Sequence, residues 1–129
     1  MMPTRIDLAQ TITDAMHDPE FKREMRYFDG KIQIGIGDEV TVAEFADGHL
    51  VSARVSEDPD SDCKIIIRGT DQHWANMLVR YPVPFYQCLQ TTNVKHGLEL
   101  STTNETFAYL PALNRLVAIL RAQQNVSAS

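Results

Sequence analysis

What is scarce in this chain narrows the reading first. Among 129 residues there are only two cysteines, Cys63 and Cys88, far apart and with no metal-ligand spacing around either. A chain of this length buries roughly two-thirds of the surface it exposes when unfolded, so it can build a core without disulfide staples. Both cysteines therefore read as reduced, buried small hydrophobes. Positive charge is scarce too. Lys and Arg number 12 against 17 Asp and Glu, a net charge of −5, and no like-charge run exceeds a few residues. That excludes nucleic acid as a partner, which needs a clustered basic face, and gives no pull toward an anionic membrane.

Long apolar runs are missing as well. No segment approaches transmembrane length, and Met1 to Met16 lacks the apolar stretch of a signal peptide, so the expectation is a soluble, cytoplasmic protein. In that compartment the sequons Asn104-Glu105-Thr106 and Asn125-Val126-Ser127 carry no sugar. With no internal repeat and no low-complexity linker, residues 1–129 read as one domain. N-terminal helices occupy 5–28, the core 29–123 and a frayed tail 124–129.

What is present is a change of period along the chain. Ile6, Ala9, Ile12, Thr13 and Met16 recur at helical spacing, predicting a helix over 5–17. Asp18 then caps a second helix with Pro19 at its first position and Phe21, Met25 and Phe28 on one side. From Gly30 the period is two. "KIQIGIG" puts Ile32, Ile34 and Ile36 on one face; "EVTVAEF" returns with Val40 and Val42 inward; "LVSARVS" alternates through Val51, Ala53 and Val55. Gly37-Asp38 and Asp47-Gly48 make the turns.

After an acidic loop, "CKIIIRG" is a fourth strand with Cys63, Ile65 and Ile67 on one side. Thr70 caps a helix through "DQHWANMLV", and Pro84 starts another, "PFYQCLQT", carrying Phe85, Cys88 and Leu89. "HGLELS" is a short fifth strand. A closing helix repeats Phe107, Leu110, Leu113, Leu116, Val117 and Leu120, with Pro111 kinking it or splitting off a short turn. Mostly antiparallel strands with helices as the other layer make an α+β fold.

Reactive chemistry is hard to find. Gly35-Ile36-Gly37 lacks the third glycine and the following helix of a dinucleotide fingerprint. "DPDSD" begins like a calcium loop, yet Cys63 stands where glycine is needed and Gly69 where a bidentate Glu is needed. His17, His49, His73 and His96 do not pair at metal-ligand spacing, and no nucleophile elbow occurs. No cofactor or metal is implied. An apolar surplus remains: the closing helix is greasier than one stripe against a sheet needs, and Met16, Met25 and Met77 add soft side chains that fit irregular shapes. Periodicity alone does not separate a packed core from a ligand tunnel.

The succession of segments resembles the sterol carrier protein type-two family of lipid-binding domains. The likeness runs through "FDGKIQIGIGD", "DGHLV", "CKIIIRGTDQHWANML", the proline-bearing link before "PFYQCL", and "KHGLELSTTNETFAYLPALNRLVAILR", about three-quarters of the chain. The resemblance implies a five-stranded mixed, mostly antiparallel sheet covered by helices, with an apolar tunnel between the layers. It implies binding of sterols, fatty acids or acyl-CoAs without cofactor or metal. The helix positions it places along the tunnel are Trp74, Met77, Leu78, Phe85 and Leu89. From the fifth strand it adds Leu98 and Leu100, and from the closing helix Leu110, Leu113, Leu116 and Leu120. Two departures stand out: no C-terminal peroxisomal tripeptide, and an extra first helix that could lid the tunnel or meet a partner.

The leading expectation is thus a non-enzymatic carrier that transfers or presents a lipid or sterol. One rival is an accessory subunit of the same fold in a lipid- or quinone-handling complex, as a homodimer or beside a partner enzyme. Another is a small enzyme acting on a polycyclic or acyl substrate with His73 or an acidic residue as base.

Overall fold

Helix α1 (Leu8–Ala15) begins where the Asp7 carboxylate accepts the Gln10 N–H at 3.1 Å. The computed structural model describes residues 6–56 and 59–126. Arg5, with which the sequence opened this helix, lies outside the described residues, as do Glu57 and Asp58 of the acidic loop. The buried stripe of α1 is Leu8, Thr11, Ile12 and Ala15, one step round from the face that Ala9 and Thr13 suggested. Thr11 is tolerated inside because its hydroxyl is satisfied, bonding Gln123 Oε1 at 2.8 Å and Asp7 O at 3.1 Å. Helix α2 (Pro19–Glu24) follows the sequence closely: Asp18 accepts the Phe21 N–H at 2.8 Å and Pro19 leads. Phe21, Met25 and Phe28 are all buried.

The sheet is built from β1 (Gly30–Ile36), β2 (Glu39–Ala46), β3 (His49–Val55), β4 (Ile65–Gly69) and β5 (Glu99–Leu100). It is five-stranded and mixed, in the order β3-β2-β1-β4-β5, with β1 and β4 parallel and the other neighbours antiparallel. The first turn corrects one expectation. Ile36 pairs with Glu39 across the Gly37-Asp38 turn, and paired residues share a face, so Thr41, Ala43 and Phe45 join Ile32 and Ile34 against the helices. Val42 pairs with Gln33 on the other face. It is still buried, as is Gln33 beside it. On that outer face the Arg68 guanidinium donates to Gln33 Oε1 at 3.1 Å and to Glu99 Oε1 at 3.0 Å.

The second half holds α3 (Asp71–Met77), α4 (Leu89–His96), α5 (Asn104–Ala108) and α6 (Leu110–Val126). The helix expected from Pro84 does not form; α4 starts five residues later, beyond Cys88. Phe85 sits instead in a left-handed backbone conformation, φ +75°, which no continuing helix allows. Gly97 closes α4, also left-handed at φ +78°. Pro111 does split the closing segment, leaving α5 as a separate short helix before α6. The break turns Phe107, placed in the apolar repeat, out to the surface. Helix α6 continues through Gln124 and Asn125, where fraying was expected; residues 127–129 lie outside the described residues.

Helix α1 packs on β2, β3 and α6, and α2 on α6. One cluster of buried side chains joins the sheet's helix-facing isoleucines to Trp74, Met77, Leu89, Leu98, Leu113 and Leu120.

Candidate functional site

The site begins with the cap of α3. The Thr70 hydroxyl accepts the His73 N–H, and His73 Nδ1 accepts the Thr70 N–H, each at 3.1 Å. The other ring nitrogen, Nε2, then carries the proton and donates to the His96 carbonyl at 2.6 Å. Both nitrogens of His73, the histidine offered as base in the enzymatic alternative, are thereby bonded to backbone groups. One residue on, Trp74 lies buried with its indole N–H donating to the Gly35 carbonyl at 2.9 Å. That bond ties α3 to the central strand and fixes the ring's orientation.

Beside this indole is a cavity of about 720 Å³. Its apolar lining is Ile6 and Leu8 from the start of α1, Ile36 from β1, and Trp74, Leu78 and Val79 from α3 and its exit, with the buried Thr41 of β2 as the polar side chain among them. Its mouth is polar, with Asp38 and Glu39 of the first hairpin, Asp71 and Gln72 of α3, and Gln124 and Asn125 of α6. No lysine, arginine or histidine is among the described residues that line it. The last turns of α6 hold the wall in place. Asn125 Nδ2 donates to the Leu78 carbonyl at 2.9 Å, and the Arg121 guanidinium donates to the Met77 carbonyl at 2.8 Å. Burial lowers the pKa of that guanidinium from its usual value.

Of the side chains the resemblance placed along a tunnel, Trp74 and Leu78 line this hollow. Met77, Leu89, Leu98 and Leu100 belong to the packed cluster, as do Leu113, Leu116 and Leu120, with Leu110 against its edge. Phe85 is on the surface. The open space therefore lies at one end of the helix–sheet interface. Ile6, Leu8, Ile36, Val79 and Asn125 escaped notice as wall residues. Ile6 and Ile36 did carry a signal, each standing in an apolar repeat at the end of its element. Among the described residues no group of three His, Cys, Asp or Glu side chains could hold a metal, and neither cysteine forms a disulfide.

The architecture has solved counterparts. It matches the crystal structure of sterol carrier protein 2 with a TM-score of 0.66 over 88% of this chain and 93% of that one, at 17% identity. The chain has the sterol carrier protein 2 fold. A solution structure from Thermus thermophilus, a conserved hypothetical protein described as a candidate sterol carrier, matches with a TM-score of 0.65 at 14% identity. That likeness covers 95% of this chain and 89% of the other. No family model matches the sequence, and no curated protein matches it. The sterol carrier fold is thus built here by a sequence very unlike those of the two solved structures. No helix among the described residues is long and apolar enough to cross a membrane.

Proposed function

We propose that this protein binds a neutral, mostly apolar lipid of sterol type in the cavity beside Trp74 and carries or presents it without chemical change. The observation that supports this reading is the hollow itself: about 720 Å³, lined mostly by apolar surface with carboxylates and amides among the rest, in a sterol carrier fold. Sites for small ligands run to roughly 300–1,000 Å³ with this same division of polarity. Affinity would come from desolvation, at about 25 cal/mol per Å² of apolar ligand surface, less the costs of association.

The mouth narrows the ligand class. Asp38 and Asp71 present carboxylates there, and no lysine, arginine or histidine is among the described residues that line the cavity. A fatty-acid carboxylate or the phosphates of an acyl-CoA would meet like charge, whereas a sterol hydroxyl can donate to a carboxylate or to Gln124. The densely packed interior behind the cavity also suits an accessory subunit, and the same measurement separates the two readings.

Dehydroergosterol titration beside a thermal melt is that measurement. Ala75 is an exposed wall residue of the cavity, so Ala75→Trp should cut uptake while the melting temperature holds. Leu113→Trp enlarges a side chain inside the packed cluster and should destabilise the protein by about 1–3 kcal/mol. A wild-type protein that takes up neither dehydroergosterol nor any neutral lipid from its cell, by native mass spectrometry, is an accessory subunit and not a carrier.

A further inference from the structure

Val79 has two roles: it lines the cavity, and it opens a connector whose apolar side chains face solvent. Tyr81 is 79% exposed, Val83 61%, Val79 46% and Phe85 45%. Single exposed apolar residues need no explanation, but a succession of them in one short connector does. Pro82 and Pro84 alternate with them and stiffen the backbone, so the side chains are displayed by a constrained segment.

The base of the connector is held firmly. The Thr92 hydroxyl shares its proton between the carbonyls of Cys88 at 2.7 Å and Phe85 at 2.9 Å, beside the left-handed backbone of Phe85. The Tyr86 N–H donates to the Val83 carbonyl at 3.1 Å, and the Tyr86 ring stacks on His96 at 3.8 Å. The Arg121 guanidinium also donates to the Gln87 carbonyl at 3.3 Å. The exposure is therefore a built feature of the fold.

Each exposed ring of the connector lies beside a cation. Arg80 lies 5.3 Å from the Tyr81 centroid, and the Lys95 ammonium 5.1 Å from that of Phe85. Aromatic rings with adjacent cations suit the headgroup layer of a bilayer, where the ring sits at the apolar boundary and the cation meets phosphate. The net charge of −5 supplies no general attraction to such a surface, so contact depends on this loop. Beside an acidic cavity mouth, the loop is locally apolar and basic.

We propose that residues 79–85 dock the protein on a phospholipid bilayer. Tyr81, Val83 and Phe85 enter the headgroup region, Arg80 and Lys95 lie at the phosphates, and Val79 joins that contact to the cavity wall. The proposal gives the lipid-binding reading a route for loading, but the docking itself needs no cargo and is measured without it.

Flotation with mixed phosphatidylcholine and phosphatidylserine vesicles tests it. Wild-type protein should float. Tyr81→Asp/Val83→Asp should reduce the bound fraction by about tenfold or more, because two apolar side chains that enter the interface become carboxylates. Its melt and its vesicle-free dehydroergosterol uptake should be unchanged. Phe107→Asp, at a 57% exposed residue on α5, should float as wild type does. The proposal is overturned if wild type remains in the soluble fraction or the double variant floats equally well. It is also overturned if wild type is a dimer that the double variant dissociates, since the loop then serves a second copy. Loss of dehydroergosterol uptake with flotation intact would refute the cavity reading alone.

Discussion

A methyl group on Gly69 would lie 2.6 Å from Leu98 Cδ1 and 3.0 Å from the indole nitrogen of Trp74. The sequence shows Gly69 only as the end of a strand; its second purpose is to let α3 close on β4 so that Trp74 reaches the Gly35 carbonyl. Neither neighbour can move freely, because both side chains are buried in the core cluster. Gly69→Ala should destabilise by about 1–3 kcal/mol in a denaturant titration, and Trp74 emission should shift to the red as its packing loosens. An unchanged midpoint would mean the helix slides at no cost. His73 makes the complementary point. Beside a tryptophan at a helix start it invites a catalytic role, yet its two nitrogens close a cap and join α3 to the end of α4.

Between elements, one bidentate polar fastening is the clip from α6 to the start of α2. Arg115 donates to both carboxylate oxygens of Asp18, at 3.0 and 2.8 Å, while the same carboxylate caps α2. The Arg115 bonds, helped by the Phe21 N–H, lower the Asp18 pKa from 3.8 to about 2. A carboxyl whose folded pKa is depressed adds stability above its unfolded pKa, and that contribution is lost as pH falls toward the folded value. The melting-temperature gap between wild type and Asp18→Asn should therefore be widest near neutrality and shrink between pH 3.8 and about 2. The pair is partly exposed, so added salt should narrow the gap too. A gap that stays constant through that acid range would show the ion pair to be without effect.

Element boundaries were legible where local chemistry sets them and illegible where a distant partner does. Asp18-Pro19 announces α2, and Thr70 announces α3. By contrast, the first N–H of α4 is satisfied by Asn114 of α6, with Leu89 N donating to Asn114 Oδ1 at 2.9 Å. No local cap marks that start, which explains why the chain looked helical from Pro84. The facing of β2 was recoverable in principle. A two-residue turn after Ile36 puts Glu39 in register with it, and Phe45 follows in phase, while the valines at 40 and 42 draw attention to the wrong face.

At the scale of the molecule, the cavity is made by segments from the two ends of the described chain. Ile6 and Leu8 meet Gln124 and Asn125 across it, and Thr11 to Gln123 is the bond that brings α1 to α6. A ligand held there binds only the folded protein, so it stabilises by about 2.7 kcal/mol at a hundred times its Kd. Saturating dehydroergosterol should raise the melting temperature measurably, and an acyl-CoA at the same concentration should not, because of the carboxylates at the mouth. Equal stabilisation by both would show that Asp38 and Asp71 do not select the ligand.

The sequence by itself determined most element types, the antiparallel opening of the sheet, a break at Pro111 and the sterol carrier resemblance that two solved structures match in fold. These rest on periodicity and turn chemistry, which act over a few residues. Tertiary structure decided which apolar side chains border empty space and which are packed tight. Periodicity shows that Leu113 and Trp74 both face inward, but only the angles at which α1, α3 and α6 meet the sheet leave a gap at one and close it at the other.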